Sequence, residues 1–357
     1  MSKAFEPVVV GSWKLPQRFV MAPLTRNRAK GTVPGDLNAE YYGQRAGAGL
    51  IITEGSQPSA VGQGYLDTPG FHSAEQVAGW RKVADAVHAG GGHIVAQLMH
   101  VGRVAHPDNK GGLESVAPSA LPADGKMVTA EGQVDMPTPR ALETDEIPGV
   151  VQEFVTAARN AVEAGLDGVE VHAANGYLIH QFLGQSSNTR TDGYGGSPEA
   201  HARFAIEVTR AVAEAIGGDR VGIRISPAHN IQGVLEEDEA FTTATYEALI
   251  DGIKELDLAY LSILADPRSA LVADLRKRFG GPVMLNSGFS SVTDFSDVES
   301  IIDEDLGDLV AVGREFLANP DLAERWRRGA ELNEPDQATF YGGGAEGYTD
   351  YPTLDRS

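Results

Sequence analysis

His172, Asn175 and Tyr177 fall in the pattern His-x-x-Asn-x-Tyr. An unprotonated imidazole and a carboxamide are both neutral hydrogen-bond donors near pH 7. Two such donors converging on one oxygen make a site that stabilises a developing oxyanion. A phenol across the same pocket supplies a proton. Plainer readings exist: a histidine at a strand end is often a satisfied core residue, and Asn175-Gly176 is a common turn. His180 and His201 read as structural.

A second set of residues lies elsewhere. Arg224 sits inside the apolar run Val221-Gly-Ile-Arg-Ile225. A buried charge without a partner is costly, so Arg224 needs an anionic or polar neighbour. Gln97, in Ile94-Val-Ala-Gln-Leu98, needs a matching donor–acceptor edge. Taken singly, a structural salt bridge and a satisfied core amide explain them as well. Ser287-Gly288 and Gly313-Arg314 offer glycine-exposed backbone N–H groups and a guanidinium fork, the parts of an anion site. With Thr25 added, the set describes a ligand that is flat, polar-edged and phosphorylated. An isoalloxazine ring carrying a ribityl phosphate has those features, although spacing alone does not separate it from other phosphorylated ligands. No H-x-H, no H-E-x-x-H and no carboxylate cluster suggests a metal.

These residues must be placed by regular elements. Short apolar, β-branched runs recur at Phe19–Ala22, Leu50–Thr53, His93–Leu98, Gly168–His172, Val221–Ile225, Tyr260–Leu264, Val283–Asn286 and Leu309–Val312. Most lack clean polar alternation, as strands covered on both faces of a parallel sheet do. Helical spacing lies between them. Ser73-Ala-Glu-Gln76 is a capping box that opens a helix to Ala89. Ile147–Ala164 puts Val151, Phe154, Ala158, Ala161 and Val162 on one stripe, with Gly165 as a stop. Ser197-Pro198 heads another helix, and Asp266-Pro267 is expected to head the one after the sixth strand. Eight strand-then-helix units, preceded by a hairpin over Val8–Val10 and Trp13–Leu15, predict an α/β fold, a (β/α)8 TIM barrel. A doubly wound open sheet is the alternative, weakened by the lack of a G-x-G-x-x-G turn after the first strand. In such a barrel the strands' C-terminal ends carry the active site, and those ends hold Thr25, Gly55, Gln97, His172, Arg224, Ser287 and Gly313. The long stretch Met99–Glu146 between the third strand and the next helix reads as a lid. The chain is expected to be a single domain over 1–357.

Composition sets the outer bounds. The chain has 357 residues, no cysteine, and 29 Lys+Arg against 50 Asp+Glu, a formal charge of −21. Lack of cysteine removes disulfides, thiolate-held zinc, cysteine-held iron–sulfur clusters and thiol nucleophiles. The charge argues against nucleic-acid and anionic-membrane partners. Glycine makes up 42 residues, well above the average of about 7 %, which suggests tight loops and close backbone–ligand approaches. No signal-like segment and no apolar run of about 18 residues is present, so a cytoplasmic protein is expected.

The motifs now resemble a known family. Met21-Ala-Pro-Leu-Thr-Arg-Asn-Arg28, Gln97-Leu-Met-His-Val-Gly-Arg103, His172-Ala-Ala-Asn-Gly-Tyr-Leu-Ile-His-Gln-Phe-Leu183, Asn188-Thr-Arg-Thr-Asp-Gly-Tyr-Gly-Gly-Ser197 and Phe340-Tyr-Gly-Gly-Gly-Ala-Glu-Gly-Tyr-Thr-Asp-Tyr-Pro352 occur in order. The chain resembles the Old Yellow Enzyme family of FMN-dependent ene-reductases, in particular its bacterial N-ethylmaleimide, pentaerythritol tetranitrate and morphinone reductase branch. The resemblance implies bound FMN, with NADPH or NADH as reductant. It implies enone, maleimide, nitroalkene or nitrate-ester substrates, and a monomer or homodimer. It assigns Thr25 and the Gly55 backbone to the flavin's O4/N5 edge and Gln97 to its pyrimidine edge, with Pro23 and Leu24 also binding the cofactor. Arg224 goes to N1/O2, and Ser287, Gly288, Gly313 and Arg314 to the phosphate. It gives His172 and Asn175 the substrate oxygen, Tyr177 the proton donor's role, and Tyr65 and Tyr341 the pocket lining. Met99 stands where close relatives often carry Trp, a flexible thioether in place of a rigid wall.

Overall fold

A computed structural model describes residues 2–288 and 291–354. Eight parallel strands close into a barrel: β1 (Phe19–Met21), β2 (Ile51–Ile52), β3 (Ile94–Leu98), β4 (Gly168–Ala173), β5 (Val221–Ile225), β6 (Tyr260–Leu264), β7 (Val283–Asn286) and β8 (Leu309–Val312). Each pairs with its neighbours in chain order, and β8 closes on β1 through Val310↔Phe19, Ala311↔Val20 and Val312↔Met21. The expected (β/α)8 architecture is the one observed.

The strands are short because each needs only to cross the barrel, and their alternation divides the core in two. Side chains such as Val169, Val171, Ile223, Leu261, Ile263 and Leu285 point outward into the helix layer. Val20, Val95, Tyr260, Met284, Leu309 and Ala311 point inward and meet Val10, Trp13 and Leu15 of the hairpin. The hairpin, Val8–Val10 against Trp13–Leu15, therefore plugs the barrel's N-terminal end. One step higher on the same inward face, the residue types change. Val95 is followed by Gln97, Gly222 by Arg224, Tyr260 by Ser262 and Met284 by Asn286. The period of two carries each strand from an apolar floor to a polar rim.

The helices follow local signals with two corrections. Ser73 Oγ accepts the Gln76 N–H at 3.2 Å, and Gln76 Oε1 accepts the Ser73 N–H at 3.1 Å, a complete capping box for Ala74–Ala89. Asp266-Pro267 does not open the helix after β6. That helix, Ala270–Phe279, begins later and is capped by Ser269, while Asp266 Oδ1 closes a turn by accepting the Arg268 N–H. In Ile147–Glu163 the buried face takes in Val150, Val155 and Ala157, and leaves Val151 and Val162 half-buried. A helix wedged between strands and neighbouring helices buries a wider arc than one stripe.

Residues 99–146 contain a short hairpin, Lys126–Thr129 with Gly132–Asp135, and a parallel pair, Val116–Ala117 with Arg140–Ala141. Met99, Val101, Val104, Ala105, Ala123, Met127 and Met136 form a small apolar cluster of their own, and Tyr65 and Tyr177 pack against it. No helix among the described residues is long and apolar enough to cross a membrane.

Candidate active site

The polar rim of the barrel opens into a cavity of about 400 Å³. Pro23, Leu24, Thr25, Gln97, His172, Asn175, Tyr177, Arg224, Arg314 and Tyr341 line it, joined by Met99, Leu317 and Phe340. A side corner of about 90 Å³ continues from it between Pro23, Leu24, Arg224, Asn286, Gly288, Gly313 and Arg314. The structure thus brings together residues separated by nearly the whole chain. Tyr65 reaches the cavity through its 2.9 Å hydroxyl contact with Tyr177. Gly55 lies behind the wall, where an added Cβ would strike the Met99 thioether. Ser287 faces a separate cavity of about 790 Å³ shared with Gly288, Leu264 and His229, which contains none of His172, Asn175 and Tyr177.

The strand registers explain how the set converges. His172 on β4 stands opposite Arg224 on β5, and Glu170 stands opposite Gln97 on β3. Glu170 is the residue that sequence reading missed. It is fully buried, accepts Gln97 Nε2–H at 2.7 Å on one oxygen, and accepts the Tyr260 hydroxyl at 3.0 Å on the other. Burial pushes its carboxyl up, and Arg224, Gln97 and Tyr260 pull it back. Gly222 makes this layer possible, since a Cβ there would run into the Tyr260 ring. The signal was present in the i, i+2 relation of Glu170 to His172, which puts both on the inward face.

Three buried polar atoms of the cavity lining aim at no protein partner: Arg224 Nε, His172 Nδ1 and Asn175 Oδ1. Such groups cost on the order of 1–3 kcal/mol each when left unpaired, so they mark places where a ligand is meant to bond. Burial, then Arg224 and His180, hold the His172 imidazolium well below its ordinary range, so the ring is neutral near pH 7. Asn175 adopts φ +59° and Gly176 φ +81°, a left-handed turn that lifts Asn175 and Tyr177 over the barrel end. Burial pushes the Tyr177 hydroxyl up, and hydrogen bonds with Tyr65 and Gln232 pull it back. Tyr65 itself is pushed well up by burial and by Tyr177. Either hydroxyl of this pair can donate; with Tyr65 as the donor, the Tyr177 proton is free to face the cavity.

The side corner has the chemistry of an anion cradle. Asn286 Nδ2 donates to the Ala311 carbonyl at 2.8 Å, and its Oδ1 accepts the Gly288 N–H at 3.2 Å. That bond holds Gly288 at φ +104°, a conformation open to glycine and strained for other residues. Gly313 precedes the short helix Arg314–Ala318, and Arg314 lines both spaces. The unpaired Arg224 Nε, the Gln97 amide edge and this cradle fit the ring and phosphate of FMN.

The C-terminal segment supplies the remaining wall. Arg26 Nε and Nη2 donate to the carbonyls of Phe340 and Gly347, at 2.9 and 2.7 Å. Arg28 Nε donates to the Gly344 carbonyl at 2.9 Å, and its Nη2 to those of Thr339 and Glu346 at 2.8 and 3.1 Å. Tyr348 stacks on Tyr41 at 4.0 Å. Arg26 and Arg28, quoted above only as motif letters, are what hold Phe340 and Tyr341 at the cavity.

Comparison with known proteins agrees with this geometry. The family described as "NADH:flavin oxidoreductase / NADH oxidase family" matches residues 3–333. A solved structure of morphinone reductase in complex with tetrahydroNAD superposes with a TM-score of 0.93 at 46 % identity, covering 99 % of this chain and 98 % of that one. The chain belongs to the Old Yellow Enzyme family. The Old Yellow Enzyme homologue from Zymomonas mobilis also aligns with a TM-score of 0.93, at 38 % identity over 99 % of this chain and all of that one. Among curated relatives, 12-oxophytodienoate reductase 1 of Oryza sativa subsp. japonica is 39 % identical over 98 % of this chain and 92 % of its own length. Chanoclavine-I aldehyde reductase of Penicillium roqueforti is 42 % identical over 98 % of this chain and 96 % of its own. As a member of this family, the protein is an FMN-dependent NAD(P)H oxidoreductase that reduces activated C=C bonds.

Proposed function

We propose that this Old Yellow Enzyme homologue reduces the activated C=C bonds of α,β-unsaturated carbonyl and nitro compounds, including enones, maleimides and nitroalkenes, and also takes nitrate esters, in the cavity over Gln97 and Arg224. The observation that carries this reading is the unpartnered ring nitrogen of His172 and the Asn175 carboxamide, whose NH2 end is the donor and which makes no side-chain hydrogen bond among the described residues, beside a hydroxyl-bearing Tyr177. When bound, FMN would supply the hydride chemistry that links NAD(P)H to the substrate's β-carbon. The protein's own residues do the rest. Arg224, Gln97, Pro23, Leu24, Thr25 and the Gly55 backbone would hold the ring, and Gly288, Gly313 and Arg314 the phosphate, with Ser287 beside them on the neighbouring cavity and contributing at most its backbone. His172 and Asn175 grip the substrate's carbonyl or nitro oxygen. Because the imidazole is neutral, it donates without placing a fixed charge beside Arg224. Tyr177 delivers its proton to the α-carbon, and Tyr65 and Gln232 stabilise the phenolate left behind.

Tyr65 and Tyr341 frame the opening, and residues 99–146 act as a lid over Tyr65 and Tyr177. We assign the protein to the cytoplasm as a single-domain monomer or homodimer, with either nicotinamide as reductant. Anaerobic stopped-flow reduction by NADH and by NADPH, followed by reoxidation with 2-cyclohexenone, N-ethylmaleimide and a nitrate ester, tests the whole reading. Reoxidation is expected to accelerate with enone concentration and to saturate; rates no faster than in enone-free buffer would exclude this substrate class.

A further inference from the structure

The Asn175-Gly176 turn has one long closing bond of its own, from the Tyr177 N–H to the Ala174 carbonyl at 3.3 Å. Gly176 adopts its left-handed conformation at little cost, whereas Asn175 carries a side chain and gives up about 1 kcal/mol for it. Four shorter tethers reach it from side chains outside the turn. Ser226 Oγ accepts the Asn175 N–H at 2.9 Å, and Gln232 Nε2 donates to the Asn175 carbonyl at 2.6 Å. Gly176 is held at both of its polar groups by neighbouring residues of the helix Leu178–Leu183. Gln181 Nε2 donates to its carbonyl at 2.8 Å, and His180 Nδ1 accepts its N–H at 2.8 Å.

His180 is fully buried, and its acceptor role at Nδ1 puts the ring proton of the neutral imidazole on Nε2. That nitrogen lies 3.3 Å from Glu236 Oε1, a contact of charge with dipole that lacks good hydrogen-bond alignment. Glu236 is anchored in turn. It accepts the Ala228 N–H at 2.7 Å on one oxygen and the Tyr246 hydroxyl at 3.0 Å on the other. A chain of contacts therefore runs from the β5 loop and the following helix, through Glu236 and His180, to the one backbone N–H between Asn175 and Tyr177.

We propose that the buried His180–Glu236 pair is a positioning device, which sets the tautomer of His180 so that it clamps the Gly176 N–H and presents Asn175 and Tyr177 to the cavity. The proposal rests on the substrate role given above to Asn175 and Tyr177. It separates His180 from an ordinary core residue by a physical criterion. A buried polar pair kept only for packing is replaceable by apolar side chains of similar volume at little cost in stability. A clamp is not, because its acceptor atom carries the function.

Two variants discriminate. In His180→Leu the volume stays and the acceptor goes; in His180→Asn the carboxamide oxygen occupies the place of Nδ1. Both are made as flavin-loaded protein and normalised to bound flavin. Binding of p-cresol is followed by the long-wavelength absorbance of the phenol–flavin contact, and exchange of the Gly176 amide hydrogen is followed in parallel. His180→Leu is expected to weaken p-cresol binding about tenfold, the equivalent of one net hydrogen bond. It should also speed Gly176 exchange, and raise KM for an enone more than it lowers kcat. His180→Asn is expected to restore binding to within about threefold of the parent, on the same scale, and to restore slow exchange. Equal Gly176 exchange in parent and His180→Leu overturns the clamp, as does His180→Asn behaving like His180→Leu. A parent protein that holds flavin and a protected Gly176 amide, yet binds no phenol, instead overturns the substrate role of Asn175 and leaves the clamp standing.

Discussion

At the scale of single residues, the site works by leaving chosen atoms unpaired. His172 and Asn175 are each almost wholly buried, and each keeps one polar atom without a protein partner. Removing one oxyanion donor costs on the order of 10²–10³ in rate. The double variant His172→Ala with Asn175→Ala should therefore keep its flavin spectrum while losing phenol binding and nearly all enone turnover. An unchanged phenol titration would sink that assignment. Tyr177→Phe removes the general acid and should slow enone reduction by on the order of 10², with flavin reduction by NAD(P)H untouched in stopped flow.

Glu54 makes a different prediction at this scale. It is buried beside the Arg26 backbone, whose N–H it accepts at 3.1 Å, and burial pushes its carboxyl up to about 7. A raised carboxyl binds its proton more tightly in the fold than in the unfolded chain. Stability from this group is therefore greatest below the ordinary carboxylate range, and falls as pH rises toward about 7. The full difference is about 3 kcal/mol. Glu54→Gln should remove this dependence, so its Tm gains on the parent's between about pH 5 and pH 8. A constant gap across that window would refute it.

At the scale of elements, the strands were legible and the connections only partly so. Short apolar, β-branched runs marked each strand to within a residue or two, because a strand covered on both faces shows that burial in its own side chains. The helix after β6 was misplaced because Asp-Pro and Ser are both good helix openers, and only packing chose Ser269. The C-terminal segment illustrates the opposite limit. Its glycines excluded a helix, yet nothing local said that Arg26 and Arg28 would carry it. Gly347 is where this matters most: it sits at φ +61° with no room for a Cβ beside Thr339. Gly347→Ala should cost at least about 2 kcal/mol, from strain and overlap combined. Chemical denaturation measures that cost, and a raised enone KM should accompany it as Tyr341 loosens.

At the scale of the whole molecule, the barrel is a device for bringing distant residues to one rim. A net charge of −21 gives no hint that an anionic cofactor binds. The positive potential is local, at Arg224 and Arg314. Because FMN would bond groups the protein leaves unpaired, removing it should destabilise the fold. Re-adding it at about 100 times its Kd should recover about 2.7 kcal/mol, seen as a Tm that depends on FMN concentration. A Tm indifferent to FMN would contradict the fit of the cavity to the cofactor.

What the amino-acid sequence determined by itself was the barrel, its rim and the identity of most cavity-lining side chains. Those follow from periodicity and from motifs that need no knowledge of distant partners. What only the tertiary structure decided was which polar groups are satisfied and which are left open. Glu170 uses up one side of Gln97, Tyr65 and Tyr177 share one hydroxyl–hydroxyl bond, and the His180 ring takes the Gly176 N–H. Each of these depends on an atom brought within 3 Å by chain closure, and hydrogen bonds are too short-ranged and directional to be read from spacing along a chain.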